Sequence, residues 1–264
     1  MIIDAHVHTF PDKIARAAVD KLAKISGITP CTDGTLASTG ELMRKKGIDK
    51  ALLLNIATKP SQQNSINTCA IELNKSKEFF SVGSIHFDAP DWQDELIRLK
   101  ESGIKGVKLH PDYQGFMIDH PQMYEIYSAC QDMGLFIVFH AGWDCYSPNL
   151  VHASPKASAW VAKRFPRLKM VLAHMGALRM EDEVLIHLAG LDNVYFDTAM
   201  MATYLKADKA AEIIKRHGHT KIFFGSDCPW ENPADTLDMI DRLGLSSDQK
   251  EDILSGNILE FLGK

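Results

Sequence analysis

Eight short apolar runs, rich in β-branched and aromatic residues, alternate with segments of helical period along this chain. No other feature restricts its fold as much. The runs cover residues 2–8, 51–56, 79–87, 106–110, 135–140, 169–174, 194–198 and 221–225. Helical periodicity marks 12–25, 38–46, 61–77, 91–102, 121–133, 155–165, 180–188, 204–217, 233–243 and 248–262. The strands are close to continuously apolar, so both of their faces need covering. That is the pattern of parallel strands joined by helical crossovers. Eight such units predict a closed (β/α)8 barrel, with a doubly wound open sheet as the alternative. The 264 residues suit a single barrel domain over 1–264. Pro121, Pro155 and Pro233 stand near helix starts, where a missing N–H costs least. Ser38 and Glu41 have capping-box spacing and predict a helix start there. Residues 27–39, polar and irregular, read as a loop at the active face.

In such a barrel the active site lies at the C-terminal ends of the strands. Of the eleven histidines, six fall at or near predicted strand ends: His6, His8, His86, His110, His140 and His174. The opening stretch "IIDAHVHTF" places Asp4, His6 and His8 two apart, so a regular strand points all three to one side. Strand four, "GVKLHP", does the same for Lys108 and His110. Strands five and six end in His140 and His174, strand seven holds Asp197, and strand eight runs into Asp227. Imidazole nitrogens with carboxylate oxygens are the donor set of Zn, Mn or Fe sites. His6, His8, His140, His174 and Asp227 are therefore candidates for a metal centre. Asp4, deeper on the same face, is expected to support the ligands without being one, and His86 and Asp197 to be structural or supporting. Lys108, buried by its strand position, needs an anionic partner, a substrate anion or chemical modification. Trp143, Tyr146, Met200, Met201 and Trp230 follow strands five, seven and eight and are candidates for lining a substrate pocket.

Composition limits the partners. The formal net charge is −5 and the pI about 6.1, which gives no electrostatic case for nucleic acid. No apolar run approaches the roughly 18 residues of a spanning helix, and the N-terminus lacks the order of a secretory signal. Five widely spaced cysteines without a C-x-x-C pair suggest free thiols in a reducing cytoplasm. Cys145 and Cys228 fall on mouth loops without a base beside them and read as inert. A small-molecule substrate is expected, and a homo-oligomer stays open.

The ordered elements "IDAHVH", "GVKLHP", "AHMG", "FGSDCPW" and "GNILEFL", with the fifth-strand His140, resemble the amidohydrolase superfamily over the whole chain. They are most similar to its amidohydrolase-related branch, which includes the aminocarboxymuconate semialdehyde decarboxylase-like enzymes. The resemblance implies His6, His8, His140 and Asp227 as ligands of one divalent ion, Zn2+ first and Mn2+ second. It implies His174 as a hydrogen-bonding partner of the ion's water or of the substrate. Two-metal members use a carboxylated fourth-strand lysine as a bridge, and Lys108 stands at that position, so a second ion bound by Lys108, His110 or His174 stays open. No added β-sandwich is expected, because the first strand starts at residue 2. The activity implied is hydrolysis of a small molecule through an activated water, with Asp227 as proton carrier and His174 at the developing oxyanion. The alternative is a decarboxylase on the same scaffold, with Lys108, His110 or Arg179 holding a substrate carboxylate.

Overall fold

A computed structural model describes residues 1–264. Eight parallel strands appear where the apolar runs predict them: β1 (Ile3–Val7), β2 (Lys50–Leu54), β3 (Phe79–Val82), β4 (Gly106–Leu109), β5 (Phe136–Phe139), β6 (Met170–Leu172), β7 (Val194–Asp197) and β8 (Ile222–Phe223). Continuous ladders join β1-β2-β3 and β4 through β8. Two seams close the ring. At one, the Gly83 and Lys108 amides donate to Gly106 O (3.1 Å) and Gly83 O (2.8 Å). At the other, the Ala5 amide donates to Phe224 O (2.7 Å), Asp227 N–H to His6 O (2.9 Å) and His8 N–H to Cys228 O (2.8 Å). The result is a (β/α)8 barrel, with no sheet outside it.

Alternation along the strands divides the core. Leu52, Leu54, Phe80, Val82, Phe136, Val138, Val171 and Phe223 form an inner cluster, joined from below by Ile258 and Leu262 of the last helix, Asn257–Leu262. Ala51, Leu53, Val107, Leu109, Ile137, Phe139, Leu172, Val194 and Phe196 face outward into the larger layer beneath the helices.

Several boundaries depart from the periodicity. The helix expected from residue 38 runs Leu36–Lys45, and its cap is Thr35, whose hydroxyl accepts from the Ser38 amide at 3.1 Å. The β3 run stops at Val82, so His86 lies beyond the strand, stacked on Phe87. The segment 204–217 splits into Met201–Tyr204 and Ala207–His217. The last helical segment is interrupted by a π-turn at Asp252–Gly256. That turn carries the Ile253 carbonyl that accepts from the Phe224 amide at 2.8 Å, a bond outside the β7 ladder that helps keep β8 short. Asn257 secures the approach to β8 by donating to the carbonyls of His219 and Ile222 at 2.7 and 2.8 Å.

The expectation of three side chains on one face of β1 fails at Asp4. Asp4 lies opposite Ala51 and Val7 opposite Leu53, so three steps along β1 match two along β2. This is a bulge. Below it Ile3 and Ala5 point into the inner cluster and Asp4 shares the outward face of Ala51. Above it His6 and His8 both face the barrel mouth. Asp4 instead binds the β1–β8 seam, accepting from the amides of His6 (3.1 Å) and Ser226 (3.0 Å) and from the Ser226 hydroxyl. Burial pushes its carboxyl up to about 7. A period of two in the sequence cannot reveal a bulge.

Candidate active site

The side chains of His6, His8 and Asp227 converge at the mouth. His6 Nε2 and His8 Nε2 are 3.1 Å apart, and Asp227 Oδ1 lies 3.3 and 3.2 Å from them. Each imidazole is held from behind. His6 Nδ1 meets Asp197 Oδ2 at 2.8 Å, and His8 Nδ1 meets the Leu54 carbonyl at 2.9 Å. A carbonyl oxygen can only accept, so His8 carries its proton on Nδ1. The carboxylate of Asp197 places the His6 proton on Nδ1 in the same way. Burial first, and then the Lys108 ammonium, hold His6 well below the usual histidine range, so its ring is neutral at pH 7.

In the neutral tautomers that these bonds select, three acceptors face one another across little more than 3 Å with no donor among them. Such an arrangement is repulsive until a cation enters. Ligands about 2.1 Å from a shared ion lie about 3.0–3.4 Å apart in octahedral or tetrahedral geometry, which is the spacing found. The donor set fits a divalent metal. Asp197 completes the arrangement of carboxylate, histidine and metal that fixes ring orientation and raises ligand basicity. The Asp197 carboxylate also accepts the His174 and Ala199 amides at 2.9 and 3.1 Å. A single residue of β7 therefore positions groups from β1 and β6.

The backbone is shaped around this cluster. Asp227 (φ 73°) and His174 (φ 62°) occupy the left-handed region, at a cost of about 1–3 kcal/mol each for residues other than glycine. Gly225, two residues beyond the end of β8, leaves no space for a side chain: an added Cβ would lie 2.9 Å from His6 Cβ. Burial works to raise the Asp227 carboxyl; the imidazoles of His6, His8 and His174 outweigh it once they are protonated, and hold it at about 2 in acid.

His140 and His174 form the next layer. His174 Nδ1 faces the Ala199 carbonyl at 3.2 Å and so carries a proton, and His174 Nε2 accepts from His140 Nδ1 at 3.0 Å. His140 Nε2 is left without a hydrogen-bond partner, 3.3 Å from Asp144 Oδ2. Burial lowers both rings to about 4. His140 is thus one imidazole away from the triad and groups with His110 and Asp144.

That second cluster differs in kind. The rings of His110 and His140 stack with centroids 4.3 Å apart and planes 7° from parallel, so their nitrogens do not aim at one point. His110 Nδ1 accepts, loosely, from the Tyr113 amide at 3.4 Å, which leaves the proton on Nε2, 3.7 Å from Asp144. Asp144 and Tyr113, whose ring stacks on His110 at 3.7 Å, were not visible as site residues in the sequence. Both lie just past strand ends, and their nearness to His140 and His110 in the chain is the only signal that could have suggested them. Lys108 is fully buried with no hydrogen-bonded carboxylate. Burial lowers its ammonium to about 8, against the pull of Asp197, Asp227 and Asp144.

Beside His174 a narrow apolar recess is lined by Met175, Leu178, Met200, Met201, Tyr204 and the Arg179 side chain. The Arg179 guanidinium lies 4.1 Å over the Trp143 ring and 4.7 Å over Tyr204. Tyr146 is half exposed and packs against Tyr113. Trp230 enters through its amide, which donates to Asp227 O at 2.8 Å.

Barrel, mouth and donor set are what a metal-dependent barrel enzyme requires. The family model described as "Amidohydrolase" matches residues 3–264, and the chain belongs to that family. Among curated proteins it is 22% identical over 224 residues to a 2-amino-3-carboxymuconate-6-semialdehyde decarboxylase of Dictyostelium discoideum. The match covers 71% of this chain and 62% of that relative's length, so the chain spans less than two thirds of it. Among solved structures, an uncharacterised TIM-barrel protein of Bordetella bronchiseptica superposes with TM-score 0.79 at 19% identity, covering 100% and 99% of the two chains. A 2,6-dihydroxybenzoate decarboxylase bound to 2,6-dihydroxybenzoate superposes with TM-score 0.73 at 15% identity, again covering 100% and 99%. The two of these relatives that carry a named activity are both decarboxylases. No helix is long and apolar enough to cross a membrane.

Proposed function

We propose that the protein is a divalent-metal-dependent decarboxylase of a small, planar, unsaturated carboxylic acid. The observation that carries the reading is the placement, at one mouth, of three acceptors that demand a cation beside an apolar recess with a fixed guanidinium. The residues of the triad, His6, His8 and Asp227, would hold one ion, Zn2+ or Mn2+, which would supply Lewis acidity toward a substrate oxygen. Arg179 binds the substrate carboxylate, and the planar body lies across the apolar rim of the recess, which is too narrow to enclose it. Breaking the bond to CO2 leaves an electron pair on carbon, and a proton must reach that carbon. As a ligand of the ion Asp227 would be ionised, so it can collect a proton from an acidic substrate hydroxyl and deliver it. His174 is neutral and donates outward to Ala199, so it orients and does not supply charge. The stacked His110 and His140 rings and the protonated Nε2 of His110 support one ion over two, with Lys108 unmodified and serving the substrate anion. A hydrolase acting on a carboxylate-bearing ester or amide is the second reading, favoured by the chemistry for which the family is named.

The test loads metal-free protein with Zn2+ or Mn2+ and offers hydroxybenzoates, short unsaturated dicarboxylic acids, and lactones and amides of the same acids. Metal-dependent CO2 release, lost on chelation, supports the decarboxylase. Opening of lactones or amides with no CO2 from any acid overturns it in favour of the hydrolase.

A further inference from the structure

The seam between β1 and β8 carries two thiols that the chemistry above does not use. Cys228 follows Asp227 directly, and its backbone bridges to Val7. Cys31 comes from the segment before the helix Leu36–Lys45, 197 positions away in sequence, yet the sulfurs are 3.7 Å apart. The backbones are fastened together at this point. The Cys31 amide donates to Pro229 O at 2.8 Å, and the Cys31 thiol lies 3.6 Å from Glu231 O. Cys228 is buried and Cys31 partly exposed, so the pair is open to solvent on the Cys31 side. The remaining cysteines have no such partner: Cys130 is buried in the outer core, Cys69 is exposed on a helix, and Cys145 sits on the loop after β5.

We propose that Cys31 and Cys228 form a reversible disulfide when the protein meets hydrogen peroxide, clamping the 31-segment across the seam that closes the barrel. The Cys31 thiolate attacks one peroxide oxygen. An S–O bond forms, the O–O bond breaks, and hydroxide leaves, taking up a proton to become water. The Cys228 sulfur then attacks the Cys31 sulfenic acid. The S–S bond forms, the S–O bond breaks, and a second water leaves with the Cys228 proton. In sum two thiols and one peroxide give one disulfide and two waters, the thiols being oxidised by two electrons. Cys31 is the partly exposed member of the pair, so peroxide meets it before Cys228. Bridging needs the sulfurs to move from contact to about 2.05 Å, within reach of side-chain rotation because the two backbones are already hydrogen-bonded.

The test treats reduced, purified full-length protein with a few equivalents of hydrogen peroxide. Free thiols are then alkylated under denaturing conditions, and intact mass and peptide maps are measured. The expected result is a fall from five alkylatable thiols to three, a cross-linked peptide joining Cys31 to Cys228, and full reversal by dithiothreitol. Cys31→Ser and Cys228→Ser should each keep every remaining thiol alkylatable under the same treatment. Closing so long a loop should also raise the melting temperature of the oxidised wild type by on the order of 5 °C, and leave Cys31→Ser unchanged. Five free thiols after treatment, a sulfinic acid on Cys31 without a cross-link, or a bridge through another cysteine would each overturn the proposal. Cys31→Ser alters a partly exposed residue, so it keeps the test informative even if Cys228→Ser fails to fold.

Discussion

Two walls of the same barrel mouth carry the same residue types and do opposite things. On the wall made by β1 and β8 stand His6, His8 and Asp227, and on the wall beyond β4 and β5 stand His110, His140 and Asp144. Both sets are two imidazoles and a carboxylate, almost wholly withdrawn from water. On the first wall both rings give their Nδ1 protons to acceptors behind them, so two bare nitrogens and an oxygen meet. On the second the rings stack in parallel and His110 keeps a proton on the side facing the carboxylate. Residue type does not make a metal site. The hydrogen bonds behind the ring, which choose the tautomer and the aim, do.

The largest effect should come from removing the first wall's nitrogens. His6→Ala with His8→Ala should take metal content from near one ion per chain to near zero, as measured by elemental analysis. Far-ultraviolet circular dichroism should still report the barrel. Full metal content in the double variant would erase the distinction between the walls. Replacing His110 with Ala should leave metal content unchanged, and loss of the ion there would reverse it.

Asp227→Asn keeps the size and one ligand oxygen but removes the group that collects the proton. Turnover should fall by on the order of 10²–10⁴-fold with metal partly retained. Near-normal turnover would mean the proton travels elsewhere.

Next in size is the support behind the ring. Asp197→Ala removes the acceptor of the His6 proton, and metal affinity should fall about 10–100-fold, read by competition with a chromogenic chelator. An unchanged affinity would show that tautomer control at His6 does not matter.

The smallest effects concern Lys108. Lys108→Met should leave metal near one per chain and raise KM for the acid substrate. Two ions in the wild type, lost in the variant, with activity that rises with bicarbonate, would instead establish a carboxylated bridge. In the metal-free protein, burial lowers Lys108 from 10.5 to about 8. Between those values the unfolded chain binds a proton that the folded chain does not, so raising the pH favours the fold. From pH 8 to 10 the urea stability of wild type should therefore gain on that of Lys108→Met, with other titrations cancelling in the difference. A flat difference would place Lys108 in a polar, solvated setting.

What the sequence determined by itself was everything that depends on period and order. Eight apolar runs with helical spacers predict a barrel ahead of an open doubly wound sheet. The order of polar residues at the run ends delivers His6, His8, Lys108, His140, His174 and Asp227 to one mouth, because a parallel barrel sends every strand's C-terminal end the same way. What only the tertiary structure decided depends on contacts between residues far apart in the chain. The bulge in β1 turned Asp4 outward, since register is set by the partner strand and not by the strand's own pattern. The carboxylate of Asp197 chose the His6 tautomer from 191 positions away. The left-handed backbone at His174 and Asp227 follows from how β6 and β8 leave the sheet, which residue identity does not encode. Cys31 and Cys228, unremarkable at their separate positions, became a pair only when the last strand closed against the first.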